Sequence, residues 1–443
     1  MPPRKKLILV VIDGLTPDVF EAVDASSAPT LAALAAAGNY RRAVSTFPSL
    51  TPVCLASIAT GGGPDVHGIP HLTWYHRGEQ RLVEYGSSFG AIRAAGTRRA
   101  IRDAIVEMNA EHLSDDAVTV YEALEDEGLV TAAVNVPCYR GRTRHAATLP
   151  GVRAVEGPRR FFYYSLFESD VTGAQLAIRG RATGSIDAYA AAVGRWLVTR
   201  DGFDFLFYYL PDYDFASHAL GPGGAQEALG RSDAAVAALV EAAGGVELFL
   251  ERYDVVLCSD HGQTRVDESI RLERALADFR LLRPGAKRAD AELVVTASNR
   301  AGQVYVLPGA QVAPRTIAEL LAREPALDVV LFREGDEAVA LRDGGEERFG
   351  AAADGWQARA WHALANPNAG EVLVSPAAGV ELADLAGRHH VGGGSHGSLL
   401  DGDSLVPMLV VGSKAEPPPA ITSVATVVLE HFGVEAPAYA RAA

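Results

Sequence analysis

Cysteine is scarce in this chain of 443 residues, which contains only Cys54, Cys138 and Cys258. The number is odd, and no two of them have the Cys-x-x-Cys spacing of a thiolate metal site. The sequence therefore argues against a disulfide framework and against a zinc site built on cysteine. Cys258 falls inside an apolar run, where we expect it to belong to the core.

Long apolar runs are also missing, since none approaches the roughly 20 residues needed to span a bilayer. The run from Leu7 to Ile12 follows basic residues, as in a signal peptide. It is too short, however, and continues into Asp13-Gly14 without a small-residue cleavage site. We therefore expect a cytoplasmic protein that does not associate with membranes.

Positive charge is in deficit, because 40 Lys and Arg stand against 55 Asp and Glu and give a formal net charge of −15. Without a basic excess, nucleic-acid polymers and anionic membranes are not expected as partners. A small anionic substrate remains compatible, because bound cations can dominate the field inside one pocket. Aromatic residues make up 7% and hydrophobic residues 48% of the chain, which is typical of a globular enzyme.

What the sequence does have is a series of apolar runs that alternate with helical patterns. Buried parallel strands are indicated by the runs at 7–12, 129–135, 203–210, 254–258 and 405–412. Ala-rich helical patterns at 184–199 and 224–243 flank the third of these runs. The alternation predicts an α/β fold in which a mostly parallel central sheet is sandwiched by helices.

Residues 265–390 have a different character, with shorter strands and a hairpin pattern at 329–341. This stretch predicts a small inserted α+β subdomain that forms a cap. The prediction therefore assigns residues 1–264 and 391–443 to a metal-binding core and 265–390 to the insert.

Residues of types that commonly bind metals follow several of the apolar runs or lie in loops between them. They are Asp13, Thr51, Asp214, His218, Asp260, His261 and His396. Open α/β sheets place their sites just beyond the carboxyl ends of the strands. Three strands should therefore deliver Asp and His side chains to one edge of the sheet, which predicts a metal site there.

The spacing of these side chains indicates two metal positions. Asp214 and His218 are four residues apart and would share one helix face, so with His396 they could form a three-ligand site. The second group consists of Asp13, Asp260 and His261, with the Thr51 hydroxyl as a bridging or terminal ligand. Paired metals of this kind suit an in-line displacement at phosphorus.

Thr51 has a context that suits a nucleophile. Pro52 is favoured at the first helical position, which predicts Thr51 as the N-cap of a helix running to Ile58. A free threonine hydroxyl is a poor nucleophile at neutral pH. Coordination to a metal, together with the positive end of the helix, would favour the alkoxide.

The joint pattern resembles the alkaline phosphatase superfamily and, within it, the type I phosphodiesterase/nucleotide pyrophosphatase group. The resembling segments are Ile12-Asp13-Gly14, Phe47-Pro48-Ser49-Leu50-Thr51, Ile58-Ala59-Thr60-Gly61, His67-Gly68-Ile69, residues 214–218 with Gly221-Pro222, Ser259-Asp260-His261-Gly262 and Ser395-His396-Gly397. Together they extend over residues 12–397. The resemblance implies two zinc ions per chain, a Thr51 nucleophile and a covalent phospho-threonine intermediate that water hydrolyses; manganese in place of zinc stays open.

The activity implied by the resemblance is hydrolysis of a phosphodiester or pyrophosphate bond in a small phosphate-containing substrate. The pattern of that group includes an asparagine, after His-Gly-Ile, that helps to hold a non-bridging phosphate oxygen. Leu72 stands at its place here, and His71 or Thr73 are candidate substitutes. The sequence indicates neither the leaving group nor the oligomeric state.

Two other functions stay open. A phosphomonoesterase of the same superfamily would share the metal ligands and would clamp its substrate through Arg41, Arg42, Arg159 or Arg160. A non-catalytic metal-binding module would keep the fold without turnover. A sulfatase is not expected, because Thr51 stands where that branch needs Cys or Ser and Leu55 stands where it needs Arg.

Overall fold

The computed structural model describes residues 5–148, 150–169, 185–283, 291–387, 390–413 and 415–441. The strands in these residues are β1 (Lys6–Ile12), β2 (Gly38–Val44), β3 (Thr73–His76), β4 (Arg81–Glu84), β5 (Thr131–Val134), β6 (Thr143–His145), β7 (Val155–Gly157), β8 (Arg160–Tyr163), β9 (Phe167–Ser169), β10 (Phe205–Leu210), β11 (Tyr253–Cys258), β12 (Thr264–Arg265), β13 (Glu268–Ile270), β14 (Leu293–Ser298), β15 (Ala301–Val306), β16 (Leu327–Glu334), β17 (Glu337–Arg342), β18 (Gly345–Phe349), β19 (Val372–Pro376), β20 (Val380–Leu382), β21 (Gly394–Ser395) and β22 (Leu405–Val411).

The α-helices of the same residues are α1 (Pro17–Glu21), α2 (Pro29–Ala37), α3 (Thr51–Thr60), α4 (Pro64–His67), α5 (Phe89–Ala95), α6 (Thr97–Arg102), α7 (Val120–Asp126), α8 (Ile186–Thr199), α9 (Asp212–Leu220), α10 (Gln226–Ala243), α11 (Val246–Arg252), α12 (Pro314–Leu321), α13 (Gly355–Ala365), α14 (Asp401–Ser404), α15 (Val424–Phe432) and α16 (Ala438–Arg441). A π-helix covers Asp103–His112, and single 3₁₀ turns cover Pro222–Gly224, Leu272–Arg274 and Ile421–Ser423.

The central sheet has eight strands in the order β2-β22-β11-β1-β10-β5-β8-β9. Strand β1 is parallel to both of its neighbours, β10 and β11. The pairs β10–β5 and β5–β8 are also parallel, whereas the outer strands β22, β2 and β9 pair in antiparallel fashion. The predicted α/β fold with a mostly parallel central sheet is therefore confirmed, and antiparallel strands at its edges make the sheet mixed.

Helices cover both faces of this sheet because its strands are apolar on both sides. In β1, Leu7, Leu9 and Val11 belong to one hydrophobic cluster, while the alternate residues belong to another. The first cluster also contains buried residues of α3, α7 and α15, and the second contains residues of α2, α8 and α10. Successive side chains of a strand point to opposite faces, so a continuous apolar run requires a covered sheet on each side.

A second, antiparallel sheet has six strands in the order β14-β15-β19-β16-β17-β18. The predicted hairpin is confirmed, because β16 and β17 pair and are joined by Gly335-Asp336. This sheet falls within the segment that the sequence assigns to the insert. The domain boundaries after residues 264 and 390 stay a prediction. In the part of the chain that the structure describes, no helix is both long enough and apolar enough to cross a membrane.

A buried pair of carboxyl groups fixes the start of α9, the helix that carries Asp214 and His218. Asp212 accepts hydrogen bonds from the backbone of Ile186 and Asp187 at 3.2 and 3.3 Å, and its own N–H donates to Asp187 at 3.2 Å. Burial raises the pKa of Asp187 to about 7, and the nearby charge of Asp212 adds to this rise. The first turns of α8 and α9 are therefore held together by the hydrogen bonds of Asp212 with Asp187, a carboxyl group that resists ionisation.

We expect Asp187→Asn to flatten the dependence of stability on pH between about pH 4 and 7. The unfolded carboxyl ionises near its ordinary pKa of 3.8, whereas the folded one holds its proton up to about pH 7. The native protein therefore loses stability as the pH rises through this window, by up to about 4 kcal/mol for a shift of roughly three pKa units. Asparagine cannot ionise, so denaturant unfolding across this window should show a smaller loss. Parallel curves for the two proteins would contradict the assignment.

Candidate metal centre

Three neighbouring strands end at one edge of the central sheet, and predicted ligands follow each of them. Because β1 lies between β10 and β11 and is parallel to both, the carboxyl ends of the three strands come together. Asp13 follows β1, Asp214 and His218 lie on α9 after β10, and Asp260 and His261 follow β11. The structure thus brings these five residues to the same edge of the sheet.

Asp13, Asp260 and His261 form one close group. Nε2 of His261 lies 3.2 Å from Oδ1 of Asp13 and 3.5 Å from Oδ2 of Asp260. One ligand atom from each of the three lies within 4.8 Å of the others. The Thr51 hydroxyl is 3.1 Å from the same Nε2. The residues that the sequence assigns to the second metal position are therefore neighbours in the fold.

Asp214, His218 and His396 lie beside this group. Nε2 of His218 is 3.3 Å from Oδ2 of Asp214, and Nε2 of His396 is 3.9 Å from Oδ1 of the same carboxylate. The rings of His261 and His396 stack with their centroids 3.6 Å apart. Asp214, His261 and His396 also offer ligand atoms within 4.8 Å of one another. His261 therefore borders both groups, a position that spacing along the chain did not indicate.

All three histidines direct Nε2 toward the carboxylates. Their Nδ1 atoms lie next to backbone carbonyls: that of His218 is 2.9 Å from Gly394, that of His261 is 3.1 Å from Gly262, and that of His396 is 2.8 Å from Ser49. A carbonyl oxygen can only accept a hydrogen bond, so in the neutral rings Nδ1 carries the proton and Nε2 keeps its lone pair. Carbonyl contacts of this kind orient imidazoles that bind metals.

Crowded carboxylates dominate the electrostatics of the centre. Burial raises the pKa of Asp13 well above its usual value, and the charges of Asp214 and Asp260 raise it further. Burial also raises the pKa of Asp260. Burial opposes ionisation of Asp214 as well, but His218, His396 and His261 together outweigh it and lower that pKa. Oδ1 of Asp13 and Oδ2 of Asp260 are buried without a hydrogen-bond partner. These oxygens, with the imidazole lone pairs, suit divalent cations, and zinc accepts both ligand types.

Thr51 is the first residue of α3 rather than its N-cap, which corrects the sequence prediction by one position. Leu50 is the N-cap, has an extended backbone (φ −116°, ψ 135°) and makes no side-chain capping bond. The backbone carbonyl of Leu50 accepts from the N–H groups of Val53 and Cys54, both at 2.9 Å. Because the helix start does not use the Thr51 hydroxyl, that hydroxyl is available to the metal centre.

The sequence interpretation missed two side chains that hold the carboxylates. The Tyr209 hydroxyl donates to Oδ2 of Asp13. The side-chain amide of Gln263 donates to Oδ1 of Asp214, and the Ser217 hydroxyl donates to the Gln263 carbonyl at 2.6 Å. Tyr209 could have been found from strand register, because it lies near the end of β10. Gln263 has a weaker signal, its position two residues after His261.

A cavity of about 630 Å³ opens onto the centre. Its lining includes Asp13, Thr51, Asp214, His218 and His396, together with the apolar side chains of Leu72, Met108 and Phe215 and the aromatic ring of Tyr164. None of the described residues that line it is Lys or Arg. The cavity therefore combines an anionic floor, suited to cations, with largely uncharged walls.

The arginines considered as a phosphomonoester clamp do not reach this cavity. Arg42 pairs with Asp18 and Glu21 on the surface. Arg41 donates to a backbone carbonyl at Pro417, and neither Arg159 nor Arg160 lines the cavity.

The two candidate substitutes for the missing asparagine also point elsewhere. Nδ1 of His71 accepts from the backbone of Thr73, and the Thr73 hydroxyl donates to Glu84 at 2.6 Å. Leu72 itself does line the cavity. Neither His71 nor Thr73 is among the described residues that line the cavity, which contradicts the expectation that one of them replaces the asparagine.

Residues 7–399 match the family described as type I phosphodiesterase / nucleotide pyrophosphatase. The chain shows no match among curated protein sequences.

Solved structures share the fold across almost the entire chain. Phosphonoacetate hydrolase from Sinorhizobium meliloti 1021, in complex with phosphonoformate, is 20% identical with a TM-score of 0.63, and the match covers 97% of this chain and 96% of that one. Murine ectonucleotide pyrophosphatase / phosphodiesterase 5 is 13% identical with a TM-score of 0.63, covering 98% and 96%. An inactive threonine-to-alanine variant of the murine protein, in complex with AMP, matches equally well.

Proposed function

The chain belongs to the type I phosphodiesterase/nucleotide pyrophosphatase family and is a phosphoester hydrolase, and we propose that it cleaves a phosphodiester or pyrophosphate bond. In the proposed reaction Thr51 is the nucleophile, and the site holds two zinc ions. The proposed ligands are Asp13, Thr51, Asp214, His218, Asp260, His261 and His396. The substrate would be a small molecule that contains phosphate, and manganese is the alternative metal.

The observation that carries the proposal is the arrangement of lone pairs around Thr51. Three histidines with Nδ1 bound to carbonyls present Nε2 to three buried carboxylates, and the Thr51 hydroxyl lies 3.1 Å from one of these nitrogens. Buried carboxylates that only stabilise a fold are normally paired with hydrogen-bond donors, whereas here one oxygen of Asp13 and one of Asp260 have no hydrogen-bond partner. Two zinc ions, when bound, would supply Lewis-acid stabilisation at the attacking and leaving oxygens.

Thr51 acts as the nucleophile in the proposed reaction. Its Oγ1 forms a bond to phosphorus while the bond between phosphorus and the leaving oxygen breaks. The threonine proton passes to solvent, and the leaving oxygen takes a proton from solvent. Water then attacks the phospho-threonine, which restores the hydroxyl and releases the phosphate product. The inactive threonine-to-alanine variant of the murine relative is consistent with this role.

The uncharged walls of the cavity favour a diester over a monoester. A phosphate monoester carries close to two negative charges at neutral pH, whereas a diester carries one. Monoester recognition commonly uses arginine as a bidentate partner, and no Lys or Arg is among the described residues that line this cavity. The apolar side chains nearby instead provide room for the second substituent of a diester.

The test pairs elemental analysis of the purified protein with hydrolysis of bis-p-nitrophenyl phosphate and p-nitrophenyl phosphate. We expect two zinc ions per chain and a higher kcat/KM for the diester. A higher kcat/KM for the monoester would move the protein to the phosphatase alternative while keeping the metal centre. Absence of metal and of activity on both substrates would contradict the proposal and favour a non-catalytic module.

A further inference from the structure

The second sheet reaches the metal centre through the turn between β14 and β15. Ser298 pairs with Ala301, which leaves Asn299 and Arg300 as the two turn residues. Asn299 has a φ of 56°, in the left-handed region that asparagine tolerates better than most residues. It is almost fully buried and lines the cavity beside His396. A residue from outside the central sheet thus contributes a polar side chain to the site.

The Asn299 amide is bonded to a nitrogen that we assign to metal. Nδ2 of Asn299 lies 2.9 Å from Nε2 of His396. Because Nδ1 of His396 donates to the Ser49 carbonyl, Nε2 is the acceptor and the amide is the donor. Oδ1 of Asn299 accepts from Ser298 at 3.3 Å, which agrees with this orientation of the amide. A metal at Nε2 would use the same lone pair, so the amide N–H would then need a new acceptor.

Buried contacts hold this turn in place. The Arg300 side chain is fully buried, forms an ion pair with Asp403 at 2.8 Å and donates to the carbonyl of Val380 at 2.7 Å. The backbone N–H of Arg300 donates to the carbonyl of His396 at 2.8 Å. The carbonyl of Asn299 accepts from Leu382 at 2.7 Å. The backbone that carries Asn299 is therefore fixed beside the centre, so only the side-chain amide has to reorient when phosphate binds.

Most other hydroxyl donors on the cavity wall already have partners. Tyr209 donates to Asp13. The Ser87 hydroxyl donates to Glu84, and that of Ser88 donates to Asp384. Leu72, at the position where the family pattern has asparagine, has no polar group to offer. An amide released from His396 would therefore be an uncommitted donor on a wall where these hydroxyls already have partners.

We propose that Asn299 donates a hydrogen bond to a non-bridging phosphate oxygen of the substrate, and so supplies from the second sheet the contact that Leu72 cannot make. The inference rests on the proposed function, because it assumes phosphate at the metal centre. In the unliganded protein the amide rests on Nε2 of His396. In the working enzyme it turns to the phosphate.

The test uses metal-loaded protein and compares Asn299→Gly with Asn299→Asp. Glycine accepts the left-handed backbone and removes the whole side chain with its amide, whereas aspartate keeps the shape and replaces the donor with a negative charge. We expect Asn299→Gly to retain two metals per chain by elemental analysis. Its affinity for orthovanadate, measured by titration calorimetry, should fall about tenfold to a hundredfold, and kcat/KM for bis-p-nitrophenyl phosphate should fall by a similar factor. Asn299→Asp should lose more of both.

A rescue experiment distinguishes phosphate binding from a structural role. In the Asn299→Gly background, Leu72→Asn should restore part of the orthovanadate affinity, and the matched control Leu72→Ala should restore none. Native affinity in Asn299→Gly, loss of metal from it, or equal behaviour of the two Leu72 variants would each overturn the inference. Failure of the native protein to bind orthovanadate or cleave the diester would instead overturn the proposed function.

Discussion

Replacing Thr51 with alanine is expected to reduce kcat by about 10³-fold or more while leaving the fold and the two proposed metals in place. The change removes the oxygen that we propose forms the bond to phosphorus. Helix α3 should persist, because Leu50 is its N-cap and the Thr51 side chain makes no capping bond. Six of the proposed ligands also remain. Turnover of bis-p-nitrophenyl phosphate measures the loss of kcat. Elemental analysis measures the retained metal, and the thermal midpoint of unfolding measures whether the fold is intact.

Thr51→Ser is the matched control for this result. Serine keeps the hydroxyl at the start of α3 and lacks only the methyl group, so a substantial part of the activity should remain. Acid quenching during turnover of the diester should trap a phosphoryl group that still carries one p-nitrophenyl substituent on the native protein and on the serine variant, but not on the alanine variant. Full activity in Thr51→Ala would exclude the proposed nucleophile, even if both metals were still present.

The fold and the convergence of the ligands could be predicted because both depend on local patterns. An apolar run such as Val10-Val11-Ile12 has to be covered on both faces, so it indicates a buried strand wherever it packs. Parallel strands of this kind end at one edge of the sheet, which brings Asp13 and Asp260 together without further information. The four-residue spacing of Asp214 and His218 likewise needed only a helix, and α9 supplies it.

Contacts between distant segments could not be predicted in this way. Asn299 lies on a turn of the second sheet, and no apolar run or spacing connects it to His396, which is 97 residues further along the chain. The stacking of His261 on His396 depends on the approach of two loops from different parts of the chain. His71 and Thr73 flank Leu72 in the sequence, but neither is among the described residues that line the cavity.

The second large effect is expected at Asp403, which joins three segments around the metal centre. Its carboxylate forms an ion pair with Arg300, the residue that follows Asn299. It also accepts a hydrogen bond, at 2.9 Å, from the backbone N–H of Ser398, which lies close to His396 in the sequence. Its backbone carbonyl accepts from Gly262, next to His261, at 2.9 Å. Asp403→Ala would leave the fully buried Arg300 guanidinium without its partner. We expect a loss of about 3–5 kcal/mol in the free energy of unfolding, measured by denaturant titration.

Two further variants separate the buried charge from the loss of packing. Asp18→Ala removes a carboxylate from an exposed pair with Arg42, and because surface pairs contribute little it should cost less than about 1 kcal/mol. Asp403→Leu combined with Arg300→Met removes both buried charges, and it should recover part of the stability that Asp403→Ala loses. A double variant as unstable as Asp403→Ala would show that the hydrogen bonds to Ser398 and Thr264, rather than the unpaired guanidinium, account for the loss. Recovered stability with weaker binding of orthovanadate would instead show that the ion pair serves mainly to position Asn299.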